Sequence, residues 1–427
     1  MNKQVQVGVL GLMVALAGST TQGDVETRMS ALEARVQELE TQGSGVPLNA
    51  AWQDGLHFRS TDGSVQLRLA GRMQLDFAGF DADSRVTEDV GDFDSGTRFR
   101  RGRLALGGSL HEHTIFNVEY ELAAGDVRFL TTFVGVRNVP LLGTIRVGRF
   151  LEFYSLEQLS GNIFHGFMER GLSAAFNEYW ANGIGIHNAV WDGRATWAVG
   201  ATKRTNALGA SGSNSHHNVS ARITTAPVYT DDGRTWVHLG AATIRRKPDD
   251  NEYSVASRPE SIIAPVMVST GPVPSDRVDL VGVEFAATHG PATLQVEWHN
   301  ARVSLRETED FAYDGSANLG GFYVYAGYFL TGEHRTYNRN TGTFGRTRPR
   351  HNFRAGGHGL GAWEVAVRYS ELDLDDDPVD GGHLRNATVG LNWYLNPNTR
   401  FMANYVRADL KNSGNADILQ MRAQFDF

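Results

Sequence analysis

The sequence predicts an all-β protein: a transmembrane antiparallel β-barrel of about sixteen strands, preceded by a short α-helical coiled-coil segment. Three observations carry this prediction. Beyond residue 52 the dominant pattern alternates apolar and polar residues with a period of two. The charged residues fall on the face opposite the apolar one, as in a wall with water on one side and lipid on the other. The alternating runs also reach the ~9–11 residues that a tilted strand needs to cross a bilayer, beyond the ~5–6 of an ordinary globular strand.

Residues 1–17 read as a signal peptide. Lys3 precedes the apolar run from Val5 to Leu16, and small residues around Ala17 suit cleavage. Residues 24–41 carry Val25, Met29, Leu32, Val36 and Leu39 at spacings of four and three, an apolar seam flanked by Glu33, Arg35 and Glu38. Two heptads are too short to persist alone, so this helix needs association or a larger oligomer. Gly43, Ser44, Gly45 and Pro47 make residues 42–51 a linker.

Residues 52–427 form the barrel. In the first long run Val65, Leu67, Leu69, Met73, Leu75 and Phe77 share one face, opposite Gln66, Arg68, Arg72, Gln74 and Asp76. The pattern returns at Thr114–Leu122, at Leu294–Trp298 and at Trp363–Tyr369. It ends with Leu419, Met421, Ala423, Phe425 and Phe427 against Gln420, Arg422, Gln424 and Asp426. An open sheet in lipid leaves backbone groups unpaired, so such strands must close into a barrel. At about 23 residues per strand with its connection, the stretch holds ~16 strands and encloses an aqueous channel.

Composition narrows the function classes. The 427 residues include no Cys, which excludes disulfides, thiolate metal sites and cysteine nucleophiles. A formal charge of −8 argues against a general nucleic-acid-binding surface. Of 40 basic residues only Lys3, Lys203, Lys247 and Lys411 are lysines, and the planar forks of the arginines suit oxyanions. No G-x-S-x-G elbow, P-loop or H-E-x-x-H is present, and no cofactor is called for. His111-Glu112-His113 has the wrong spacing for a helical metal motif. The acidic run from Glu371 to Asp380 reads as a solvated loop.

Nine stretches then resemble the phosphate-selective porin O and P family of Gram-negative outer membranes. They are GLHFRSTDGSVQLRLAGRMQLDF (55–77), FRRGRLALGG (99–108), RVGRFLEFYSLEQL (146–159), FMERGL (167–172), RPES (258–261), YFLTGEHRTY (328–337), GAWEVAVRYS (361–370), GLNWYLNP (390–397) and MRAQFDF (421–427). The resemblance implies a trimeric sixteen-stranded barrel in the outer membrane, with an inward-folded loop and a basic pore. The implied partners are small phosphate-like anions, outer-membrane lipids and the barrel-assembly machinery.

Strand parity turns Arg68, Arg72, Arg101, Arg103, Arg146 and Arg222 inward. The pair Arg100–Arg101 resembles a pore-lining pair of the family, but parity points Arg100 outward. Both members reach water only if a bulge interrupts the strand or if the pair sits at the rim. Arg170 resembles a family constriction residue; the alternative is a simple ion pair with Glu169 beside it. Arg348 matches a basic family position in a segment that also holds Arg335, Arg339, Arg346, Arg350 and Arg354. That segment attracts anions if it overhangs the pore and is otherwise a solvated loop. The departures bear on selectivity. Arg258 is followed by Glu260 where strictly phosphate-selective members carry an arginine ladder, and Gln158 and Asn338 replace family lysines. The sequence therefore points to an anion-preferring or weakly selective passive pore. A non-conducting barrel attached through the coiled coil is the alternative, and conductance separates the two.

Overall fold

A computed structural model describes residues 23, 27–34, 46–123, 125–177, 180–212, 216–309, 311–357 and 359–427. The signal peptide and most of the heptad seam lie outside these residues; residues 27–34 are helical. The described residues up to Asn49, with Ser60–Asp62, form a small unit in which the Thr61 amide donates to the Pro47 carbonyl at 3.1 Å. The second unit is the barrel.

Its wall is a closed ring of sixteen antiparallel strands. The first eight are β1 Val65–Ala82, β2 Gly96–Leu110, β3 Thr114–Glu121, β4 Thr132–Val139, β5 Gly143–Leu151, β6 Trp180–Val190, β7 Ala195–Lys203 and β8 His217–Tyr229. The others are β9 Thr235–Arg246, β10 Val273–His289, β11 Ala292–Leu305, β12 Ser316–Phe329, β13 Ala362–Asp376, β14 Val379–Asn396, β15 Thr399–Leu410 and β16 Gly414–Asp426. Closure runs along β1. β16 pairs with it from Ala416↔Ala82 to Asp426↔Arg72. Phe427 then exchanges two hydrogen bonds of 2.9 Å with Gly71. The short strand Leu56–Ser60 covers the remainder, from Leu56↔Leu69 to Arg59↔Gln66. No length of β1 is left as an open edge in lipid. Gly71 gives the Phe427 ring room at the seam, because a Cβ there would lie 2.6 Å from that ring.

The two faces follow the predicted parity. Met73 and Phe77 are exposed on the outside while Gln74 and Asp76 are buried inside. Leu419 and Phe425 face out, and Arg422 is fully enclosed. Aromatic rings border the outer apolar band near the barrel's two termini, where Trp363 stacks on Trp393 at 5.1 Å and Phe425 meets Phe427 at 6.0 Å. At the opposite border the hydroxyls of Tyr369 and Tyr405 donate at 2.8 Å to Glu371 and Asp417. Such amphipathic rings mark both edges of a membrane-spanning barrel.

The ends differ. At the turn end, six connections are tight, such as His111–His113, where His111 and Glu112 take positive φ; the His-Glu-His motif is a turn, not part of a strand. At the loop end, long connections fold inward. The β9–β10 loop contributes Val255, Met267 and Val268 to an apolar cluster inside the barrel, against Ile244, Leu280 and Val303 of the wall. The inner face is therefore apolar near the loop end of β9–β15 and polar below it. Simple alternation does not anticipate that exchange. The acidic run is also not a loop. Glu371 to Asp376 belong to β13, and a two-residue turn leads into β14.

Candidate functional site

The β5–β6 loop enters the lumen and is fixed from two directions. The Glu297 carboxylate accepts the amides of Leu156 and Glu157 at 2.8 Å each, capping the short helix Leu156–Leu159. Further along, wall side chains take the loop's carbonyls. Arg400 donates to the His165 carbonyl at 2.7 Å, Asn392 to that of Gly166 at 2.8 Å, and Arg368 to that of Glu169 at 3.1 Å. The β9–β10 loop is pinned through Glu260, whose carboxylate accepts from Arg368 at 2.5 Å, Ser370 at 2.5 Å and Thr388 at 2.7 Å.

Between these loops and β2 lies an arginine cluster. The register of β1 against β2 slips between Gln74↔Arg101 and Leu75↔Phe99, so Arg100 is the extra residue of a bulge. Both arginines consequently turn inward. Arg100 forks onto Glu169 of the loop at 2.7 and 2.9 Å, and Arg101 donates to Gln74 at 2.7 Å. Arg103 pairs with Glu121 at 2.7 Å and lies 5.2 Å from the Trp180 ring centre. Arg72 donates to Asn162 at 2.7 Å. Glu169 also accepts from Arg422 at 2.8 Å. Burial alone would raise the Glu169 carboxyl, but Arg100, Arg101 and Arg422 outweigh it and hold the group well below the ordinary carboxylate range.

Two cavities open here. The larger, about 420 Å³, is lined by seven arginines (Arg98, Arg100, Arg101, Arg103, Arg128, Arg149 and Arg170) against one acid, Glu121. The smaller, about 230 Å³, adds Arg258 and Gln158, with Glu169 and Glu260 on its wall. Guanidinium groups in that excess over carboxylates, around space large enough for a small solute, favour an anion over a cation.

The structure thus gathers Arg72, Arg100, Arg101, Arg103, Arg170 and Arg258 near one region and sets the other four sequence candidates apart. Arg68 is exposed and donates to the Asp54 carbonyl at 3.2 Å. Arg146 lies among aromatic rings, 4.2 Å from the centre of Phe150 and 4.8 Å from that of Phe153. Arg222 is 4% exposed, forks onto Glu284 at 2.9 and 2.7 Å, and is covered by the Gly342 carbonyl. Arg348 pairs with Asp54. Its segment, between β12 and β13, divides: Phe344 donates its amide to Ser160 of the β5–β6 loop at 3.0 Å inside the barrel, while Arg348 and residues 350–357 are exposed.

Sequence reasoning missed Arg98, Arg128 and Arg149. Arg98 sits two residues before Arg100, and Arg149 lies within the RVGRF stretch, so both had a local signal. Arg128 lies in the β3–β4 connection and had none.

A family model described as phosphate-selective porin O and P matches residues 67–427. Porin O of Pseudomonas aeruginosa is 24% identical over 391 residues, covering 83% of this chain and 85% of that protein. An uncharacterized protein of Caulobacter vibrioides is 28% identical over 383 residues, covering 85% of this chain and 72% of its own length. The solved anion-selective porin from Comamonas acidovorans superimposes with a TM-score of 0.51 at 15% identity, covering 85% of this chain and all of that one; this likeness is one of fold.

Proposed function

The chain belongs to the phosphate-selective porin O and P family of the outer membrane, and from that premise we propose that it is a passive, anion-preferring diffusion channel. Family and fold point to a channel rather than an enzyme. The observation that carries the anion preference is the seven-arginine lining of the larger cavity, set against Glu121 alone. Fixed cations at a narrow, partly dehydrated passage lower the entry barrier for anions and raise it for cations. Many of these guanidiniums are already bound to carboxylates or amides, and Glu169 and Glu260 stand beside Arg258. That balance favours a range of small anions, phosphate among them, over tight capture of one.

Reversal potentials across a planar bilayer in a potassium chloride gradient test the reading, with phosphate then added to compete with chloride. Anion-directed potentials are expected, and clear cation preference would overturn it. Arg101→Glu should lower both the anion preference and the chloride conductance; if neither changes, Arg101 lies off the path. Absence of any conductance would favour a structural barrel. We also propose assembly as a homotrimer, which size analysis of the detergent-solubilised protein would check.

A further inference from the structure

Outside the pore, the outer wall at the loop end carries an uneven belt of charge. On β9–β11 three outward-facing arginines gather around Asp279, and the neighbouring acid Asp276 pairs separately with Arg306 at 3.6 Å. Arg245, Asp279 and Arg302 are directly opposite one another across three neighbouring strands, and Arg277 stands one pleat further toward the rim. Asp279 accepts from the Nε of Arg245 at 2.8 Å and of Arg277 at 2.9 Å. The guanidinium-bearing side chains stay exposed nonetheless: 71% for Arg245 and 52% for Arg277. Arg302 is exposed as well. The group therefore keeps two uncompensated positive charges.

Its height on the wall is informative. Below Arg245 the outward residues of β9 are Thr243, Ala241 and Leu239, and those opposite them on β10 are Val281, Val283 and Phe285. From the row of Thr235 and His289 at the turn end to the row of Arg245 is ten residues. At ~3.4 Å per residue and a tilt of roughly 40°, that is about 26 Å along the membrane normal. The span equals the ~25 Å apolar band of such barrels. The three arginines consequently stand where hydrocarbon gives way to headgroups on the loop side, which faces the cell exterior. Further round the ring the belt changes sign. On β13–β16 and β1, Glu371, Asp373, Asp409, Asp417 and Asp81 outnumber Arg385 and Arg407.

We propose that the Arg245–Arg277–Arg302 patch docks the phosphate groups of a phosphorylated lipid in the outer leaflet, a function separate from the pore. Guanidinium forks match phosphate oxygens bidentately. A headgroup seated there keeps its acyl chains against the apolar rows beneath. Asp279 competes for the same donors, so it limits the affinity, and the acidic arc cannot take a phosphate directly.

The test uses the full-length protein purified in detergent, with bisphosphorylated lipid A as the probe and chelator present, read by native mass spectrometry. The wild type should hold the bisphosphorylated lipid and not its dephosphorylated form. The triple variant R245S/R277S/R302S should bind about a hundredfold more weakly, with heat-modifiable migration and conductance unchanged. Asp279→Asn should bind more tightly, and it decides the matter should the triple variant fail to fold. Equal retention of the dephosphorylated lipid, unaltered binding by the triple variant, loss of binding on chelation or weaker binding by Asp279→Asn would each overturn the proposal.

Discussion

Glu169 faces three guanidiniums in the arginine cluster, those of Arg100 at 2.7 Å, Arg422 at 2.8 Å and Arg101 at 3.9 Å. Held well below its usual range by them, it stays anionic and subtracts a charge from the site. Glu169→Gln should therefore raise the anion-to-cation permeability ratio, read from reversal potentials. It should also cost about 1–3 kcal/mol of stability, because Arg100 loses its charged acceptor. Arg422 is protected from that loss by its fork onto Asp76, 2.6 Å at each contact. Glu157 behaves oppositely. Burial pushes its carboxyl up to about 7 from 4.5, with Arg368 only partly opposing the shift. Between those values the folded protein binds more protons than the unfolded chain, so this group's contribution to stability falls as pH rises through the window. The limiting slope is about 1.4 kcal/mol per pH unit. Glu157→Gln should flatten that dependence in denaturant unfolding from detergent micelles; an unaltered slope would assign it to another group.

Among the elements, the β5–β6 loop owes its position to residues distant in the chain. Glu297, on β11, takes two loop amides across a separation of 141 and 140 residues. Its strand was legible, since Glu297 alternates with Val296 and Trp298, and parity correctly turned it inward. Its partner was not legible, because periodicity reports a face and never the segment that comes to rest on it. The same limit hid the course of the β12–β13 segment. Its arginines would attract anions if they overhung the pore, yet two of them are neutralised by acids from outside the segment, Arg346 by Asp426 and Arg348 by Asp54. Truncating Glu297 to alanine leaves both loop amides without their acceptor, at about 1–3 kcal/mol for each buried donor. Single-channel recordings of Glu297→Ala should show added open-state noise as the loop leaves its seat. A trace as quiet as wild type would mean that Arg400, Asn392 and Arg368 suffice to hold it.

For the whole molecule, the barrel was legible because alternation and strand length are consequences of lipid on one side and water on the other. At Arg100 the sequence leaves two options open, a bulge or a place at the rim, and the register slip selects the bulge. What alternation could not convey is its own sign. On β13, Leu372 and Leu374 point inward while Glu371 and Asp373 point out, the reverse of Val365 and Val367 against Glu364 and Arg368 lower on the same strand. The period is identical in both halves. Only the depth at which the wall leaves the hydrocarbon decides which partner, lipid or an inward-folded loop, receives the apolar face. The boundary is open to direct measurement, since the chain has no cysteine of its own. Cysteines placed singly at Arg245 and Arg407, above the outer apolar rows, should react with a membrane-impermeant maleimide on intact cells. Those at Val283 and Ala403, two pleats nearer the turn end, should not. Equal labelling at all four would show that water reaches the lower rows, so the wall would cross the bilayer at a different height. Absence of labelling at Arg245 and Arg407 would instead place the charged belt within the hydrocarbon, a position that burial of so many charges makes untenable.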